Sequence, residues 1–133
     1  MARKGGMDEA VRRFESIGQK KGLIACFDAD STCTANYFKV LEEEYFAKAI
    51  TPVGSAIYYE HSFPAETRHR NGIQQYELHL RYYVNALRWI GYPYAFQTVG
   101  SSMVVRSDIY QKIGGMNKRK AGEDFYFLHR LIP

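Results

Sequence analysis

Two short acidic groups stand out in the 133 residues, Asp28-Ala29-Asp30 and Glu123-Asp124. Two carboxylates one residue apart, on a backbone leaving a strand, can face one hard cation such as Mg²⁺ or Mn²⁺ through oxygen ligands, and that cation can neutralise phosphate oxygens. On their own they serve equally well as helix caps or Asx turns. Glu123-Asp124 lies at the start of an apolar helical stretch, after the basic, glycine-bounded loop Asn117 to Gly122. A carboxylate there is held charged by the free amides of the first helical turn, so a general base at this place needs burial or a neighbouring acid. Glu123 is that neighbour for Asp124. Stability alone also favours acids in a first turn, and it is the combination of the two groups that points to chemistry.

The elements that must position these groups follow from hydrophobic spacing. Met7, Ala10, Val11, Phe14 and Ile17 predict an amphipathic helix over 7–18 with Gly18 as its stop. The apolar run Gly22 to Phe27 has the length of a strand buried on both faces, which puts Asp28 at its carboxyl end, where open α/β sheets hold ligands. Thr34 or Asn36 can cap a second helix bearing Tyr37, Val40, Leu41 and Tyr45. Pro52 ends it, and residues 53–59 read as a strand, 61–71 as a loop and 72–91 as the longest helix. Residues 96–105 read as a further strand, interrupted by Gly100-Ser101-Ser102, where small side chains let a ligand approach the backbone. Ser107 caps a short helix stopped by Gly114-Gly115. Strands alternating with helices predict an α/β domain with a mostly parallel sheet.

Composition fits one compact domain: 46% hydrophobic, 24% charged and 15% aromatic residues. No apolar run approaches the roughly 18 residues of a membrane span, and the start lacks the apolar core of a signal peptide, so a cytoplasmic location is expected. Cys26 and Cys33 match no disulfide framework or zinc spacing and read as reduced thiols. The net charge is +4, unevenly spread. Residues 1–21 carry six basic and three acidic groups, residues 22–65 two and six, and residues 112–133 five and two. Positive ends around a negative middle suit an anionic ligand approached from two sides, although a mixed solvated surface gives the same count. Nucleic acid is not expected as a partner, because most of the eleven Tyr and eight Phe fall at core spacing rather than among a basic stripe.

Two enzyme families use paired acidic motifs of this kind. Asp28-Ala-Asp30-Ser-Thr32 after an apolar strand resembles the opening motif of the haloacid-dehalogenase phosphatases, with Asp28 as nucleophile and Asp30 as acid/base. That family also needs a late acidic pair after another strand, and residues 117–122 do not read as one. More of the chain is similar to the inverting family 2 glycosyltransferases of the A-type fold. The matching blocks are Ala2-Arg3-Lys4-Gly5-Gly6, Asp28-Ala-Asp30-Ser31, Asn36-Tyr37-Phe38, Gly100-Ser-Ser-Met-Val-Val-Arg106, Gly114-Gly115 and Gly122-Glu-Asp-Phe125, in that order.

This resemblance implies transfer of a sugar from a nucleotide-diphosphate sugar to an acceptor hydroxyl with inversion, in polysaccharide or glycolipid synthesis. Asp30 would help hold a divalent cation, Mn²⁺ or Mg²⁺, on the donor diphosphate, with Asp28 toward the ribose side. Asp124 would be the catalytic base and Glu123 its tuning partner. Arg3 matches the nucleotide-side arginine of the family, whereas Lys4 stands where Asn is usual. Gly100, Ser101 and Ser102 would lie near the sugar and acceptor. The resemblance spans the middle and later part of a catalytic domain and lacks the strands that bind the base, so a truncated domain over 1–133 is expected. Unpaired sheet edges and the inner membrane face are the expected places of association with further copies and with a carbohydrate or lipid-linked acceptor.

Overall fold

The computed structural model describes residues 2–118 and 121–132. Its elements, in chain order, are helix α1 (Ala2–Ser16), strand β1 (Leu23–Cys26), helix α2 (Tyr37–Glu42) running into a π-helical turn (Glu43–Ala47), and strand β2 (Gly54–Ala56). Then come the long helix α3 (Thr67–Trp89), strand β3 (Met103–Arg106), helix α4 (Ser107–Lys112) and helix α5 (Glu123–Leu131).

The α/β class is as expected, but the sheet is not parallel. Its order is β1-β3-β2, and β3 runs antiparallel to both neighbours. Met103 faces Cys26 on one side and Ala56 on the other, so β3 begins at the edge where β1 and β2 end. The physical reason lies in the connection. A single crossover helix would return the chain to the far edge and give a parallel strand. Here the chain leaves β2 with Ile57 N–H bonded to the Ser102 carbonyl at 2.7 Å, travels through α3, and comes back along residues 90–102 to the edge it left.

The other differences concern boundaries. Residues 2–6, expected to precede the first helix, form its first turns. The expected loop 61–71 gives up its last residues to α3, which starts at Thr67. The expected strand over 96–105 is regular only from Met103, because the Gly100 region turns, with Ser102 N–H bonded to the Val99 carbonyl. The one over 53–59 is regular only at Gly54–Ala56. Beyond it, Tyr58 and Tyr59 both lie 5.0 Å from the Arg81 guanidinium, which ties that segment to α3 instead of the sheet.

The core lies on one face of this sheet, beneath α1, α4 and α5. Met7, Ile24, Met103, Val105, Tyr110, Phe127, Leu128 and Leu131 are buried together. Two glycines set how closely the helices approach. A Cβ on Gly22 would collide with the Phe14 ring, and one on Gly54 would stand 2.8 Å from Leu131 Cγ and 2.9 Å from the Val104 carbonyl oxygen. The C-terminal parts of α1 and α5 therefore lie over the far end of the sheet, and their N-termini point to the edge where β1 ends. On the other flank Tyr45, also buried, donates from its hydroxyl to Ser55 Oγ at 2.8 Å and seats the π-helical turn against β2.

Candidate functional site

Both acidic groups reach the same edge of the sheet. Asp28 leaves β1 there, and Asp124 opens α5 there. Arg3, in the first turn of α1, joins them. Its Nη2 donates to Asp28 Oδ1 at 3.0 Å. The remainder of its guanidinium occupies the space that a side chain at residue 100 would fill. A Cβ on Gly100 would collide with Arg3 Nη1 and stand 2.6 Å from Arg3 Cζ and 3.0 Å from Asp124 Oδ2.

Asp124 is held by backbone donors: Gly100 N–H donates to Oδ2 at 3.0 Å and Phe125 N–H to Oδ1 at 2.8 Å. Its position is thereby fixed relative to the turn before β3. Only the antiparallel register allows this, since Gly100 precedes its strand whereas Asp28 follows one. The small residue at 100 thus admits Arg3 and the Asp124 carboxylate to the backbone. Replacing Gly100 by Ala is expected to displace the flexible Arg3 end while leaving overall stability within about 1 kcal/mol, because no core group has to move. The amide of residue 100 should exchange with deuterium about tenfold faster as its bond to Asp124 weakens, and an unchanged rate would contradict the crowding described here.

Two cavities flank Arg3 and Glu123, which line both. The larger, about 670 Å³, runs between α1 and β1 past Gly6, Met7, Cys26, Phe27, Asp28 and Ala29. The smaller, about 180 Å³, is lined by Lys4, Gly5, Asp8, Met116, Asn117 and Lys118. In the smaller one Lys4 pairs with Asp8, whose other oxygen accepts the Tyr110 hydroxyl at 2.7 Å. The Lys4 bond is the largest influence holding the Asp8 carboxyl below its usual range. Tyr110 is pushed up to about 12, chiefly by burial. Asn117 Oδ1 is buried without a hydrogen-bond partner among the described residues. In the larger cavity burial drives the Cys26 thiol up to about 11, so Cys26 stays a neutral wall group rather than a nucleophile. Cys26 and Cys33 are free thiols, as their spacing suggested.

Of the residues singled out in the sequence, Arg3, Asp28, Gly100, Glu123 and Asp124 come together. Lys4 sits one step away in the smaller cavity. Asp30 is exposed beyond Asp28, and Ser101 and Ser102 are half-buried in the turn leading to β3. Among the described residues no three His, Cys, Asp or Glu side chains converge as a metal set, so Asp28 and Asp30 offer a pair of carboxylates at most. Arg130 donates to the carbonyls of Ile113 at 2.9 Å and Gly115 at 2.7 Å, tying α5 to the end of α4.

Comparison with family models, curated proteins and solved structures finds no match for this chain. The site therefore stands on its own geometry. Asp8, Asn117 and Lys118 belong to it without having been singled out. The four-residue spacing of Lys4 and Asp8 on a helix was the available signal for the first. For the other two it was the basic, glycine-bounded loop. Arg119 and Lys120 of that loop lie outside the described residues.

Among the described residues no helix is long and apolar enough to cross a membrane.

Proposed function

We propose that this chain is the metal-assisted transfer centre of an inverting glycosyltransferase, acting on a nucleotide-diphosphate sugar and an acceptor hydroxyl. The observation that carries the reading is the meeting of Asp28 and Asp124 around Arg3 at one sheet edge. A distance of 96 positions in sequence separates the two carboxylates. A stability role for each would not require them to lie on either side of Arg3, whose guanidinium bonds Asp28 and reaches the space beside Gly100 where Asp124 is anchored. The surroundings suit phosphate: the N-termini of α1 and α5 both point at this edge, and Arg3, Lys4 and Lys118 add positive charge.

A divalent cation would be held here in company with its substrate. Asp28 and Asp30 would supply two carboxylates, and phosphate oxygens and water the remaining ligands, as is usual for Mg²⁺ on nucleotides. Bound there, it would stabilise the departing diphosphate. The chain's own groups then divide the work. Arg3 orients Asp28 and faces the same negative charge. Asp124, fixed by two backbone donors, takes the acceptor proton, and Glu123 on the cavity wall beside it sets its electrostatic surroundings. The larger cavity would take the donor and the smaller would extend toward the acceptor.

Calorimetric titration with uridine and guanosine diphosphates, with and without Mn²⁺, tests this reading. Metal-dependent binding of one of them, weakened at least tenfold by Asp30→Ala, is expected. Metal-independent binding, or none, would remove the donor site. Hydrolysis of a generic phosphate ester that is lost in Asp28→Asn would instead assign Asp28 as a phosphatase nucleophile.

A further inference from the structure

We propose that the outward face of α3 is the contact between two copies of this chain, packed antiparallel about a two-fold axis crossing the helix near residue 80. This is independent of the function proposed above. The inner face of α3 carries Ile73, Glu77, Leu80, Val84 and Leu87 at helical spacing, all buried or half-buried. On the opposite face Asn71, Gln75, Leu78, Tyr82, Asn85 and Trp89 recur every three or four residues, and all six are exposed. Leu78 is 69%, Tyr82 71% and Trp89 89% exposed. Apolar groups on both faces of one helix are the pattern of a helix covered on both sides.

The stripe also matches itself when reversed. Residues 71 and 89, 75 and 85, and 78 and 82 are equidistant from residue 80. An antiparallel pair therefore sets Leu78 against the partner's Tyr82, Gln75 against the partner's Asn85, and Asn71 against the partner's Trp89. The first pairing is apolar. The second joins two side-chain amides, each with donors and an acceptor, and the third gives the indole N–H a carbonyl oxygen. None of the six carries charge, and the only carboxylate of α3, Glu77, is turned inward onto His61 and Arg81. Arg68, one turn before Asn71, comes against the partner's indole, a favourable cation–π arrangement. Parallel packing would instead juxtapose the arginines of the two N-terminal ends.

The size is adequate. A helix of 23 residues is about 34 Å long. Burying Tyr82 and Trp89, at about 150–250 Å² each, together with Leu78 in both copies removes on the order of 1,000 Å², the lower bound for a specific interface.

Light scattering on the full chain at micromolar concentration should give twice the 15.4 kDa monomer mass. Tyr82→Glu should halve it without changing the circular dichroism spectrum, since the side chain is exposed. The orientation is read by cysteine pairing in a Cys33→Ser background. Residues 75 and 85 lie about 15 Å apart along the axis. Oxidation of mixed Gln75→Cys and Asn85→Cys proteins should therefore form a disulfide heterodimer, and neither protein alone should cross-link. A monomer, a dimer that survives Tyr82→Glu, or cross-linking of either cysteine variant alone would overturn the proposal. So would a monomer whose Trp89 mediates sedimentation with anionic lipid vesicles, which would give this face to a membrane.

Discussion

Asp124→Asn is expected to bind the nucleoside diphosphate as the unchanged chain does and to transfer sugar about 10²- to 10⁴-fold more slowly, the usual contribution of a positioned base. The substitution isolates the proton-accepting role. The one amide oxygen can still take the Gly100 N–H bond that now reaches Oδ2 at 3.0 Å, so the turn before β3 keeps its anchor and only the local Phe125 N–H bond to Oδ1 is given up. What the amide cannot do is accept a proton from the acceptor hydroxyl. Turnover is measured with the sugar nucleotide identified by titration, and affinity by calorimetry on the same preparation. A variant that retains transfer within about tenfold would take the base assignment away from Asp124. A variant that loses nucleotide affinity together with turnover would show that the carboxylate positions the donor rather than activating the acceptor.

The largest effect on stability is expected at Phe127. Its ring is fully buried, lies 5.7 Å from the Tyr110 ring, and anchors α5 in the core. Phe127→Ala should cost about 3–5 kcal/mol, combining lost transfer energy with a cavity that close packing cannot refill. Against a total of about 5–15 kcal/mol, that is enough to unfold part of the population at physiological temperature. Urea unfolding followed by circular dichroism measures it. Phe125, two positions earlier and partly exposed against His129, serves as the control and should cost clearly less when truncated. Equal costs would mean that α5 is not held by the face assigned to it. The two substitutions also separate function from folding, because Phe127 acts on the helix that carries Asp124 without touching the site.

Much of the element order was legible before the structure was known. The spacing of Met7, Val11 and Phe14, the apolar run Gly22 to Phe27, and the glycine stop at Gly18 mark α1 and β1 through local patterns that tertiary contacts reinforce. Boundaries were less legible where propensity and packing disagreed. Gly5, Gly6 and Gly72 are poor helix formers by about 1 kcal/mol each, yet they lie inside α1 and α3 because the packed turns beyond them extend the helices through them. The part played by Gly100 was half-visible. A small residue there signals close approach to the backbone, but sequence does not tell whether a ligand or a side chain approaches. The structure places the Arg3 guanidinium there.

Local chemistry, written in the order of residues, determined which groups are available at this site: paired acids after an apolar strand, acids opening a helix, and a basic start. Whether those groups could meet was decided by the direction of one strand. Had β3 run parallel to β1, Gly100 would lie at the far edge of the sheet and Asp124 would have no anchor beside Asp28. Strand direction depends on how a long connection returns through space, a property that no local pattern of side chains encodes.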